Sequence, residues 1–158
     1  MHMYSLAAME ARRRRRVLRS AEEVPAALIE EIVDDMAARM SGTPEARACV
    51  GMSFTYALEG RRLPRYRYAI GADGAVSLTR DDDAPSTFTF SADSDTFDAV
   101  LRGQSNALKA LLTGRVRLHG SLWHLRQLLR MMPAVERAYT LSREAMLRHH
   151  EDRYDFRF

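Results

Sequence analysis

Cysteine is almost missing from this chain. Cys49 stands alone, so an intrachain disulfide is impossible and a reducing, cytoplasmic setting is expected. No apolar run approaches the ~20 residues that a membrane-spanning helix needs. The basic N-terminal run has no apolar stretch behind it, so a secretory signal is not expected either. Glycine-rich phosphate loops are missing. The nearest approach to a nucleophile elbow, Gly51-Met-Ser53-Phe-Thr, lacks the second glycine and falls within a strand pattern. Metal-ligand spacing is also missing. His119 and His124 lie on either side of a strand–helix break with no adjacent glutamate, and His149-His150-Glu151-Asp152 reads as a solvated helix end. Asp81 to Asp83 have no paired base. No catalytic residue, cofactor or metal is therefore expected.

Net positive charge comes from one segment alone. The net charge is +3 and the pI near 9.3, but Arg12 to Arg16 with Arg19 supply six positive charges, and without them the net falls to −3. A nucleic-acid-binding domain carries its basic patch on the folded body, so nucleic acid is not an expected partner. Successive arginines point all round a helix that turns ~100° per residue. Residues 1–19 are thus expected to be at best weakly helical, a solvated extension. Its run Arg12–Arg16 suits transient contact with anionic lipid headgroups or a protein partner.

What is present suits one globular domain: 158 residues, 46% hydrophobic and 28% charged. That domain is expected over 20–148, with 149–158 as a tail. Leu28, Ile29, Ile32, Val33, Met36 and Met40 recur at helical spacing and predict an amphipathic helix over 20–40. Its start is set by a Ser20/Glu23 capping box, or lies nearer Glu23 because Pro25 suits a first turn. Five stretches then alternate apolar and polar residues, at 51–58, 65–70, 75–79, 86–91 and 115–119. Each has one apolar face, so the sheet buries one side and the helices gather there, an α+β layering. Helices are expected after Asp93 or Ser94, after Ser105 or Asn106, and over 122–132 following Ser121. Pro133 is expected to kink or end the last of these, with a further amphipathic segment to about 148.

A family resemblance rests on the stretch Gly114-x-Val116-x-Leu118-x-Gly120-x-Leu122. It is preceded by Phe97-Asp98-Ala-Val-Leu-Arg-Gly103 and by the junction Ser91-x-Asp93-x-x-x-Phe97. Together with the order of elements over Val50 to Met132, this resembles the SCP2-type (sterol carrier protein 2) lipid-binding domains. The resemblance implies a five-stranded, mostly antiparallel sheet with helices packed on one face. It further implies an apolar tunnel for sterols, fatty acyl chains or similar ligands, with no cofactor and no shared catalytic residue.

The candidate ligand-binding residues are the apolar stripe Phe54, Tyr56, Tyr68, Phe88, Phe90, Phe97, Leu101, Leu108, Leu112, Val116, Leu118, Trp123, Leu125, Leu129 and Met132, with His124 as a polar contact. Tyr56, Tyr68 and the Trp123 N–H are further polar groups for selectivity, and the segment after Pro133 is a candidate lid. The expected function is binding or carriage of a hydrophobic small molecule. Two alternatives stand beside it: an enzyme of cyclase or isomerase type using the same pocket, and a lipid-binding scaffold for a partner protein. Oligomeric state is left open by the sequence.

Overall fold

The computed structural model describes residues 5–81 and 84–158; positions 82 and 83 of the expected acidic loop, residues 1–4 and the side chains at 11–13, Arg12 among them, lie outside the described residues. Helix α1 (Leu6–Arg13) leads into strand β1 (Arg16–Leu18). After a 3-10 turn at Ala21–Glu23 comes α2 (Ala26–Met40), which buries Leu28, Ile29, Ile32, Met36 and Met40, the expected stripe. Pro25 sets its start, because a proline disfavours helical geometry in the residue before it. The Glu23 carboxylate instead accepts from the Arg19 N–H at 3.2 Å. Thr43 then caps the short α3 (Pro44–Ala48).

The main sheet follows. β2 (Ser53–Leu58), β3 (Tyr66–Ile70) and β4 (Val76–Arg80) form an antiparallel meander. β5 (Phe88–Ala92) adds in parallel beside β2, then come α4 (Ser94–Leu101) and α5 (Ala107–Leu112), and β6 (Arg117–Gly120) closes the edge antiparallel to β5. The order is β4-β3-β2-β5-β6, so three of the four pairings are antiparallel. Register brings Tyr68, Phe54 and Phe88 into one row and Tyr66, Tyr56, Phe90 and Leu118 into the next. Tyr68 stacks on Phe54 at 5.3 Å and Tyr56 on Phe90 at 5.4 Å between ring centroids. Arg67, Thr89 and His119 take the other face, as strict alternation requires.

Both glycines of the family motif have identifiable roles. Gly114 follows α5 at φ +73°, a left-handed conformation that costs glycine little. Gly120 lies opposite Phe88, and a Cβ there would sit 2.5 Å from the Thr87 main-chain oxygen.

The second half of the chain departs from expectation at Pro133. A 3-10 turn at Leu122–His124 is followed by a single helix, α6 (Leu125–His149), which continues past the proline instead of ending there. Proline removes one hydrogen bond, that to the Leu129 carbonyl. Pro133 and Leu129 both lie on the solvent side of α6, where water can satisfy that carbonyl. α6 packs along α2 and against α3 and α4, with Arg137 paired to Glu45 at 2.8 Å.

The N-terminal segment departs too. β1 pairs in parallel with β7 (Tyr154–Phe156), placing Leu18 opposite Phe156. Leu18 is completely buried. Val17 and Leu18 end the arginine run, and their partner strand lies at the far end of the chain, so local periodicity could not reveal the pairing. Arg15 donates to the Glu151 main-chain oxygen at 2.8 Å, while Arg14 and Arg16 are exposed.

Candidate functional site

The face of the sheet carrying Tyr56, Leu58, Tyr66 and Tyr68 does not close fully against the helices. A cavity remains between it, α2, α4 and the second half of α6. The cavity is a narrow cleft of about 90 Å³ within a hollow of about 710 Å³ that includes its open mouth. Ile29, Ile32 and Met36 of α2 and Phe97 and Leu101 of α4 give it apolar walls, and Phe158 lies against it.

One end is polar. Asp98 and Arg143 are buried, at 4% and 7% exposure. The Asp98 carboxylate accepts from Arg143 Nε at 3.0 Å and Arg102 Nη2 at 2.7 Å, and also from the Tyr139 hydroxyl. Burial and the adjacent Asp98 charge push the Tyr139 phenol well above its usual pKa, so it stays a neutral donor. Two guanidiniums share the Asp98 carboxylate. Arg143 Nη2 also donates to the Phe158 main-chain oxygen at 2.9 Å, and its guanidinium lies 5.0 Å from the Phe158 ring centroid. Ser94, 6% exposed, lines the same cavity. Its hydroxyl is buried and has no hydrogen-bond partner among the described residues. The backbone here is pinned. The Ser94 N–H donates to Glu22 and the Ala21 N–H to Asp95, each at 2.7 Å.

The tyrosines of the sheet serve different ends. Tyr66 donates to Glu30 at 2.8 Å and Tyr68 to the Val33 main-chain oxygen at 2.9 Å, tying the sheet to α2. The Tyr56 hydroxyl has no partner among the described residues, and burial, followed by the Glu136 charge, raises its pKa.

Of the residues expected at the site, Tyr56, Tyr68, Phe97 and Leu101 line the cavity. Phe54, Phe88, Phe90 and Val116 are buried in the core away from its lining, and Leu118 and Met132 are half-buried there. Leu108, Leu112, Trp123, His124, Leu125 and Leu129 are exposed instead, because α5, the Leu122–His124 turn and the start of α6 turn those side chains to solvent. Sequence reasoning missed the polar end, Ser94, Asp98, Tyr139 and Arg143. The one available signal was Asp98 on the apolar side of a short helix beside Phe97 and Leu101. The α2 wall was seen as a stripe but not as a ligand surface. Among the described residues no cluster of His, Cys, Asp and Glu could hold a metal, and no helix is long and apolar enough to cross a membrane.

These features define a small α+β protein with an apolar cleft between a mixed sheet and one layer of helices. The SCP-2 sterol transfer family model matches residues 44–132, more than half of the chain, and the chain belongs to that family, which supports hydrophobic lipid binding in general. Solved structures agree on the fold. The sterol carrier protein domain 2 of Helicoverpa armigera superposes with a TM-score of 0.57 at 13% identity, over 78% of this chain and 96% of that one. A UbiJ-SCP2 ubiquinone synthesis protein gives 0.53 at 12%, over 75% and 98%, and a crystal structure of sterol carrier protein 2 gives 0.51 at 18%, over 72% and 94%. A search of curated proteins returns no match by sequence.

Proposed function

We propose that this protein binds and carries a hydrophobic molecule with one polar group, the apolar part lying between the tyrosine face of the sheet and α2, the polar group meeting Ser94, Tyr139 and Arg143. The observation that carries this reading is the unpartnered Ser94 hydroxyl at the one polar end of an otherwise apolar cleft. A buried hydroxyl without a partner is costly, and a ligand headgroup would relieve that cost. The Arg143 guanidinium lines this end as a charged donor, which favours an anionic or strongly accepting head over a neutral one. Each methylene moved out of water contributes about 0.8 kcal/mol.

A cleft of about 90 Å³ takes only a few carbons, less than the roughly 300–1,000 Å³ of sites that hold whole small molecules. Loading therefore requires Phe158 to move out. Its main-chain oxygen already occupies an Arg143 donor and its ring lies over the guanidinium, the places a ligand's head and first carbons would take. The test is saturable uptake of a fluorescent fatty acid, compared with its methyl ester, by the wild type and by Phe158→Ala. Uptake of the acid in preference to the ester, faster in the variant, is expected. No saturable uptake by either protein overturns the reading.

A further inference from the structure

A second surface carries chemistry that the cleft does not use. From Ala99 to Val135 the chain has no Asp or Glu, and in the same span it has Arg102, Lys109, Arg115, Arg117, Arg126 and Arg130. Arg102 and Arg117 pair with Asp98 and Glu59, and Arg115 donates to the Ser105 hydroxyl. The side chains of Lys109, Arg126 and Arg130 have no hydrogen-bond or ion-pair partner among the described residues, and all three residues are exposed.

The same span exposes large apolar side chains. α5 buries only Ala110 and turns Leu108 and Leu112 outward, the latter 79% exposed. The 3-10 turn at Leu122–His124 buries nothing, and leaves Leu122 80% and Trp123 94% exposed. Leu125 and Leu129, one helical turn apart at the start of α6, continue that face. In the chain, β6, the edge strand of the sheet, lies between these two apolar groups, with Arg117 and His119 exposed. A folded chain does not leave this many leucines and a tryptophan in water by chance. Patches of this kind mark contact sites.

Leucine and tryptophan interleaved with cations, with Glu59 the acidic partner of Arg117, suit one kind of partner. The apolar groups enter the boundary between headgroups and acyl chains, tryptophan is at home in that layer, and lysine and arginine meet lipid phosphates. We propose that the surface formed by α5, β6, the Leu122–His124 turn and the first turns of α6 docks on an anionic lipid bilayer. This docking does not depend on what fills the cleft. It involves the folded body, not the Arg12–Arg16 run.

Trp123 is the only tryptophan, so its emission reports the contact directly. The full chain is titrated with vesicles of phosphatidylcholine alone, and of phosphatidylcholine with phosphatidylserine. A blue shift with the anionic vesicles, reversed by high salt and absent with the neutral ones, is expected. Arg126→Glu with Arg130→Glu should weaken vesicle binding at least tenfold, and Leu122→Ser with Leu129→Ser likewise. Arg62→Glu, an exposed arginine of the β2–β3 loop, should not. All these side chains are exposed, and far-ultraviolet circular dichroism verifies that each variant is folded. Equal fatty-acid uptake by the Arg126→Glu/Arg130→Glu protein and the wild type separates this surface from the cleft. No shift with anionic vesicles, binding indifferent to the two double substitutions, or a shift produced only by an acidic peptide overturns the proposal.

Discussion

Asp98 holds three donors in a space almost without water. Two are guanidiniums, Arg143 buried and Arg102 half-buried, so its removal would leave like charges together without their counter-charge. Loss of one partner from such a cluster costs about 3–5 kcal/mol. Asp98→Ala should accordingly lower Tm far more than any exposed Asp→Ala change, as differential scanning calorimetry would reveal. The buried phenols make a second prediction, in pH. Tyr56, Tyr66, Tyr68 and Tyr139 all have pKa values raised by burial above the ordinary tyrosine value, which is ~10. The folded state therefore holds these protons more tightly than the unfolded chain. The resulting stability is complete below pH ~10 and is lost as pH climbs toward the folded values. Tm should fall steeply above pH ~10, and Tyr139→Phe should blunt the fall. Cys49 is the simplest case. Its thiol is fully buried and its pKa raised by that burial, so a thiol reagent at mildly alkaline pH should label it only on unfolding.

At the scale of elements, the sequence revealed most where the period was short and the partner near. The five strands, the stripe of α2 and the stop at Gly114 follow from side-chain alternation and glycine geometry, and the sheet agrees with them to within a residue or two at each end. Pro133 does not end α6, because its cost depends on which side of the helix it occupies. Gly120 shows a different limit: the motif pointed to it, but only the strand pairing explains it. Because the Thr87 oxygen would meet any Cβ there, Gly120→Ala must push β6 from β5 or twist the edge. A loss of about 1–3 kcal/mol is expected, measurable by urea unfolding. Gly114→Ala has open space around it and costs only the left-handed strain, about 1 kcal/mol.

Across the whole molecule, long-range contacts decide what the cleft can do. Which apolar residues meet in the interior is set by how α6 crosses α2, and no local pattern carries that. This is why Leu125 and Leu129 could be read as wall when they face solvent, and why Arg143 and Tyr139, a helix apart from Asp98, escaped notice. The pairing of β1 with β7 belongs to the same class, and it holds Phe158 over the polar end. A three-residue, two-stranded ribbon is a weak element by itself, so its opening should cost less than opening of the five-stranded sheet. Hydrogen exchange of the Arg157 N–H, which donates to the Leu18 carbonyl at 2.8 Å, should therefore be faster than that of the β2 and β3 amides. If the ribbon governs access, Leu18→Asp should open it by burying a charge at a fully buried position. Fatty-acid uptake should then speed up at a Tm lowered by several degrees, while the β2 and β3 amides keep their protection relative to the new global stability. Uptake no faster in Leu18→Asp than in the wild type would instead place the controlling motion in α2 or α4, the other walls of the cleft.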